Sequence, residues 1–257
     1  MSAPTGMFTP RPGAAPLGRQ VLAQAAMESR LMLRNGEQLL LAVVIPVIVL
    51  VGGVEGARHV GLSFSHRPVD VFAPGVLALA VMSTAFTSLA ISTGFERRYG
   101  VIKRLGSSPL PRTGLLLGKV GALLLVEAMQ ILVISVVALL LGWDPHPSFV
   151  AAALSILAGT AAFASLGLFV AGVLRAEATL AAANLVYLLL MAGGAVVLPS
   201  TAYGALGGFT RALPSGALGD ALRAASWSGS FPWASLIVLT VWAAVGAGLT
   251  ARTFKWE

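Results

Sequence analysis

The chain has 257 residues, 57% of them apolar and only 11% charged, with a mean hydropathy of +0.87; this excludes an ordinary soluble domain. No cysteine is present and the three histidines are scattered, which excludes disulfides and thiolate metal sites and leaves no metal-ligand spacing. A net charge of +7 would suggest nucleic acid in a soluble protein, but here the basic residues flank apolar runs and positive-inside topology accounts for them.

The length fits an all-α polytopic membrane domain of six transmembrane helices at about 20 residues each. Met1 to Pro16, rich in Ala, Pro, Gly, Ser and Thr, reads as a flexible tail. The single domain is expected over residues 17–257. The first apolar run starts near Leu39, too late for a cleavable signal. From Leu17 to Asn35 the periodicity is helical, with Val21, Leu22, Ala25, Met32 and Leu33 on one face and Arg19, Arg30 and Arg34 opposite. That pattern predicts an N-terminal amphipathic helix lying against membrane lipid in the interface, with Glu28 near its apolar edge.

Leu39 to Val54 is the first expected span, with a kink at Pro46. Gly52 to Phe72, balanced in charge, reads as an external loop. Pro74 and Gly75 open the second span, which runs to about Gly94 and carries a polar stripe of Thr84, Thr87, Ser88 and Ser92. The stripe serves either helix packing through small hydroxyl residues or the lining of a translocation path.

Leu115 to Leu141 is the third span, with Lys119 able to snorkel at its end. Gly114, Gly118 and Lys119 do not make a phosphate loop: three residues, not four, separate the glycines, and Val120 follows the lysine. ATP chemistry is therefore expected in a partner. Glu127 lies deep in this span without a basic partner, and Gln130 is expected to share its face and hydrogen-bond with it.

Phe149 to Leu174 is the fourth span, followed by a minimal turn at Arg175, Ala176 and Glu177. Thr179 to Leu198 is the fifth, with Asn184 and Tyr187 on one face as helix glue or path. Ser200 to Ser230 is too long for a turn and too polar for a span, though Ala217 to Ala225 can be helical. Phe231 to Thr250 is the sixth.

Between the second and third spans, Phe95 to Arg112 sets Arg97, Arg98, Lys103, Arg104 and Arg112 against the single acid Glu96. A short helix over Tyr99 to Leu105 is predicted, stopped by Gly106, Pro109 and Pro111. The basic excess assigns this loop to the cytoplasmic face. The resulting threading puts thirteen of the seventeen Lys and Arg inside, leaving Arg58, Arg67, Arg211 and Arg223 outside, with both termini cytoplasmic.

The stretch E-R-R-Y-G-V-I-K-R-L-G-S-S-P-L-P-R resembles the cytoplasmic segment between the second and third spans of type 2 ABC exporter permeases, particularly the daunorubicin-resistance-like branch, through Glu96, Arg97, Gly100, Leu105, Pro109 and Arg112. Many members carry a second acid near Arg98 and Thr-Leu-Glu near Val101 to Lys103, so this chain is the more basic variant. The resemblance implies a coupling helix that docks on an ABC ATP-binding subunit, with Glu96, Arg97, Gly100, Arg104 and Leu105 as coupling residues. It also implies a second permease, identical or homologous, and an external re-entrant hairpin in Ser200 to Ser230. No cofactor is expected on this chain, since ATP and Mg belong to the partner. The expected activity is ATP-driven export of drug-like amphiphiles across the cytoplasmic membrane, with Glu127, Gln130, Thr84, Thr87, Ser88, Asn184 and Tyr187 as path candidates. A lipid-linked glycan or polymer as cargo, and a membrane carrier or scaffold outside ABC transport, remain the alternatives.

Overall fold

The computed structural model describes residues 15–34, 36–60, 66–105 and 111–253, without the side chains of 37–41, 102, 105 and 112. All regular structure among the described residues is helical. Six helices among the described residues are long and apolar enough to cross a membrane: Ala42–Val60, Pro68–Arg98, Thr113–Leu140, Phe149–Val173, Ala176–Gly193 and Trp233–Thr253.

The amphipathic helix α1 (Leu17–Arg34) packs along α6 (Arg112–Leu140). Its packed face differs from the expected one. Gln24 and Ser29 are buried, while Leu22 and Leu33 are exposed. Glu28, expected at the apolar edge, points inward because a cation on α6 receives it, a partner that periodicity alone does not reveal.

Helix α2 (Gly36–Val60) runs unbroken through Pro46, and α3 (Pro68–Met82) starts ahead of Pro74. The expected loop over Gly52 to Phe72 is therefore mostly helix, with 61–65 outside the described residues. Two local features extend the helices. Glu55 pairs with Arg58 at 2.7 Å one turn on, and Pro68 occupies the first helical turn, where a missing N–H costs nothing. The second span continues through a π-helical turn, Ser83–Ser88, into α4 (Leu89–Arg98).

This span is the centre of the bundle. From Val71 through Met82 every residue is buried, and the span packs against α2, α6, α7 (Phe149–Val173), α8 (Ala176–Gly193) and α10 (Pro214–Trp227). Helix α7 approaches through small buried residues, including Ser155, Gly159, Thr160, Gly167 and Gly172. A Cβ on Gly167 would stand 2.8 Å from the Phe86 carbonyl oxygen in the π turn, so backbone meets backbone there.

The short helix after the second span is α5 (Val101–Leu105). The fifth span stops at Gly193, not Leu198, and Ala195 adopts φ 55°. After it come a 3-10 turn (Ser200–Leu206), α9 (Gly207–Ala212) and α10, which is longer than the helix expected over Ala217 to Ala225. α10 is buried on α3, α7 and α11 (Trp233–Thr253).

Candidate functional site

At the end of the bundle carrying the basic loop, Lys119 does not snorkel. It is buried and donates to Glu28 Oε1 at 3.0 Å and to Glu96 Oε1 at 2.7 Å. Three elements meet in this contact: α1, the last turn of α4 and the start of α6. One ammonium between two carboxylates leaves the cluster formally one negative charge in excess, and among the described residues the buried Glu96 Oε2 has no hydrogen-bond partner. Glu96 thus faces the protein. It joins the segment just before the loop to the N-terminal helix.

The two arginines that follow are also committed to the bundle. Arg97 donates to the carbonyl of Ala171 and, at 3.5 Å, to that of Leu174, at the C-terminus of α7, where a cation complements the helix dipole. Arg98 pairs with Glu177 in the first turn of α8. Gly100 then takes φ +67° with open space around it, ending α4 as a left-handed residue that only glycine adopts without strain. Arg104 is exposed on α5. The side chains of Leu105 and Arg112, and Pro109 altogether, lie outside the described residues.

The path candidates separate into two groups. Glu127 and Gln130 are buried, but their side chains do not meet as expected. Glu127 Oε2 accepts from Thr160 of α7 at 2.7 Å, whereas Gln130 accepts from Thr84 at 2.8 Å and donates to the Ala42 carbonyl at 2.8 Å. The physical reason is that each side chain has a better-placed partner on another helix, Thr160 for Glu127, and Thr84 and the Ala42 carbonyl for Gln130. Thr87 and Ser88 are half-buried in the π turn, the Thr87 hydroxyl having no partner among the described residues, and Ser92 is exposed. Asn184 is exposed and takes no part in the hydrogen bonds of Glu127 and Gln130 given above, and Tyr187 is half-buried.

At the opposite end the structure adds a cluster that sequence reasoning missed. Arg223 on α10 is fully buried and reaches the carbonyls of Val196 at 2.8 Å, Val197 at 2.5 Å and Val71 at 3.4 Å, with Asp220 Oδ1 at 3.2 Å. Burial pulls its pKa down to about 10, so it stays charged at neutral pH. Asp220 also accepts from the backbone N–H and hydroxyl of Ser200. Trp227 donates to the Asp70 carbonyl at 2.8 Å and stacks on His66. Together these tie the non-helical 194–199 segment, α10 and the start of α3. The one available signal was an i, i+3 Asp–Arg pair inside an otherwise small and apolar stretch.

Six apolar helices, one of them the buried central span, define a multi-pass α-helical membrane protein. The family model described as ABC-2 type transporter matches residues 19–227, and the chain belongs to that family. It is a transmembrane subunit of an ABC transporter, a kind that works with an ABC ATP-binding subunit. No curated protein and no solved structure matches the chain.

Proposed function

We propose that this chain is the permease half of an ATP-driven exporter in the cytoplasmic membrane, belonging to the daunorubicin-resistance-like branch and moving drug-like or amphiphilic cargo outward. The observation that carries it is the basic loop set directly beside the Glu28–Lys119–Glu96 cluster within the matched family region. ATP and Mg bind the partner subunit. Hydrolysis there moves α5 and the loop around it; Gly100 lets the short helix hinge, and Glu96, Arg97 and Arg98 pass the displacement to α1, α6, α7 and α8.

Two permeases make one path. Asn184 supports this: the amide sits midway along α8, is exposed, and makes no hydrogen bond among the described residues. Lipid does not accept an unpaired amide at that depth without cost, so we assign this face to a second permease or to the path between two. Glu127, Gln130 and Thr84 are then internal struts, and Thr87, Ser88, Asn184 and Tyr187 remain the path candidates.

Gentle extraction of tagged protein tests the reading. A stoichiometric subunit with a true Walker A sequence should co-purify, and Asn184→Cys should cross-link between two copies. Absence of the ATP-binding subunit under conditions where the permease stays folded overturns it. Orientation is read separately in the cysteine-free chain: Cys at Asp144 or Thr201, both exposed, should react with impermeant reagent from outside, and Cys at Ser107 should not.

A further inference from the structure

At the end of the bundle away from the basic loop, a cavity of about 690 Å³ opens between α10 and α11. Three charged residues face it: Arg211, Asp220 and Arg223. They are not equivalent. Arg223 spends its nitrogens on Asp220 and on backbone carbonyls, as described above, and Asp220 is spent on Arg223 and Ser200. Arg211 is exposed at the mouth and gives its Nε to Ser200 Oγ at 2.9 Å. Its two Nη nitrogens make no hydrogen bond or ion pair among the described residues. The guanidinium is thus oriented by one bond while its outward fork stays open, and it carries the one uncompensated charge of the site.

The walls are apolar and aromatic. Trp227, Phe231, Trp233 and Val238 line them, with the Phe231 and Trp233 rings 4.3 Å apart. Trp233 is 69% exposed as the first residue of α11, the position at which an indole anchors a span at headgroup depth. Ser228 and Ser230 add hydroxyls at the rim. An open guanidinium fork suits the two oxygens of a phosphate, and the adjoining apolar wall suits the first carbons of a chain. The volume falls in the range of sites that enclose a small ligand, enough for a headgroup and its nearest carbons.

We propose that this cavity binds the phosphate headgroup of an anionic amphiphile, with Arg211 as the anion contact and Trp233 flanking the chain. The proposal rests on the reading above that Ser200 to Ser230 lies on the outer face. Two sources share this chemistry: an anionic phospholipid resident in the outer leaflet, and an anionic amphiphile on its way out.

The test uses the whole permease alone in nanodiscs, with tail-brominated phosphatidylglycerol or tail-brominated phosphatidylcholine as quencher of tryptophan fluorescence. With Trp143, Trp242 and Trp256 replaced by Phe, the remaining Trp227 and Trp233 line the cavity, so an occupant there is read directly. The expected result is an apparent preference of about fivefold for the anionic lipid, the worth of one arginine at an anionic surface. Arg211→Gln should abolish the preference and Arg211→Lys should retain part of it, both with unchanged melting because residue 211 is exposed. A preference that appears only when the ATP-binding subunit is added and turning over assigns the same site to cargo. Equal quenching by both lipids in every condition, or a preference that survives Arg211→Gln, overturns the proposal. The first arm contains no ATPase and no transport step, so its failure leaves the coupling reading intact, and a failed co-purification leaves a positive lipid result standing.

Discussion

Replacing Lys119 by Met is the most direct challenge to the cluster at the base of the basic loop. Lys119 is only 5% exposed, and its partners Glu28 and Glu96 are 12% and 19% exposed, so water screens the three charges weakly. Both carboxylate oxygens lie within 3.0 Å of one nitrogen. Removing the ammonium deletes both attractions and leaves the repulsion between the two carboxylates, already present in the parent, uncompensated. Breaking a buried pair by deleting one partner typically costs about 3–5 kcal/mol, and that is the loss expected here. Glu96→Gln leaves a neutral Glu28–Lys119 pair, and should cost less than about 1.5 kcal/mol, one charged hydrogen bond offset by relieved repulsion. The triple variant Glu28→Gln, Lys119→Met, Glu96→Gln carries no charge at the site and should regain most of the loss, a non-additivity that marks one coupled unit. Thermal melting of detergent-extracted protein followed by gel filtration reads all three. Parental melting in Lys119→Met, or a triple variant no better than Lys119→Met, refutes the argument.

Gly100→Ala should cost about 1–2 kcal/mol because its left-handed φ is strained for any residue with a Cβ, and Gly100→Pro should cost more, since proline is locked near −65°; transport assays should rank glycine above alanine above proline. Arg223→Met leaves Asp220 unpaired and three carbonyls without their donor, so melting should fall by the equivalent of about 3–5 kcal/mol, with Arg223→Lys in between. Glu127→Gln keeps the size and the Thr160 hydrogen bond while removing any charge, so assembly and export of both cationic and neutral cargo should be unchanged. Selective loss of cationic export in a normally assembled variant would put Glu127 on the path.

The spans were legible in the sequence because a bilayer imposes length and apolarity together, and both can be counted along the chain. Their ends were harder. Residues 54–60 and 68–72 carry enough charge and proline to resemble a loop, yet Arg58 and Glu55 satisfy each other along the helix, and Pro68 sits where helices tolerate it. What the sequence could not give was partnership across long separations. Lys119 meets Glu28 and Glu96 over 91 and 23 residues, and Gln130 meets Thr84 over 46. Periodicity assigns a residue to a face but not to a neighbour, so proximity along the helix pairs Gln130 with Glu127, whereas each has a better partner on another helix. The π turn was equally invisible. Nothing in Ser-Thr-Ala-Phe-Thr-Ser demands an extra residue per turn, and the packing of Gly167 of α7 against the Phe86 carbonyl is a tertiary fact.

On the proposed coupling, the loop's base cannot move alone. Glu96 binds Lys119 of α6 and through it Glu28 of α1, Arg97 binds the end of α7, and Arg98 binds the start of α8. Sliding α4 past them would break several charged hydrogen bonds at about 1.5–3 kcal/mol each. Carrying those helix ends along as one block breaks none of them. The far end of the same span is held as firmly, by Arg223 on the Val71 carbonyl and Trp227 on the Asp70 carbonyl. A displacement delivered between two fastened ends is absorbed where the backbone is most easily rewound. Among the described residues of this span that place is the π turn Ser83–Ser88, whose hydrogen bonds are already out of α register and whose Thr87 hydroxyl has no partner; such turns are commonly found at functional sites. Amide hydrogen exchange distinguishes the alternatives. Turnover of the ATP-binding subunit should speed exchange over 83–88 and leave 71–82 protected, whereas uniform loss of protection along the whole span would mean that it moves as a rigid rod.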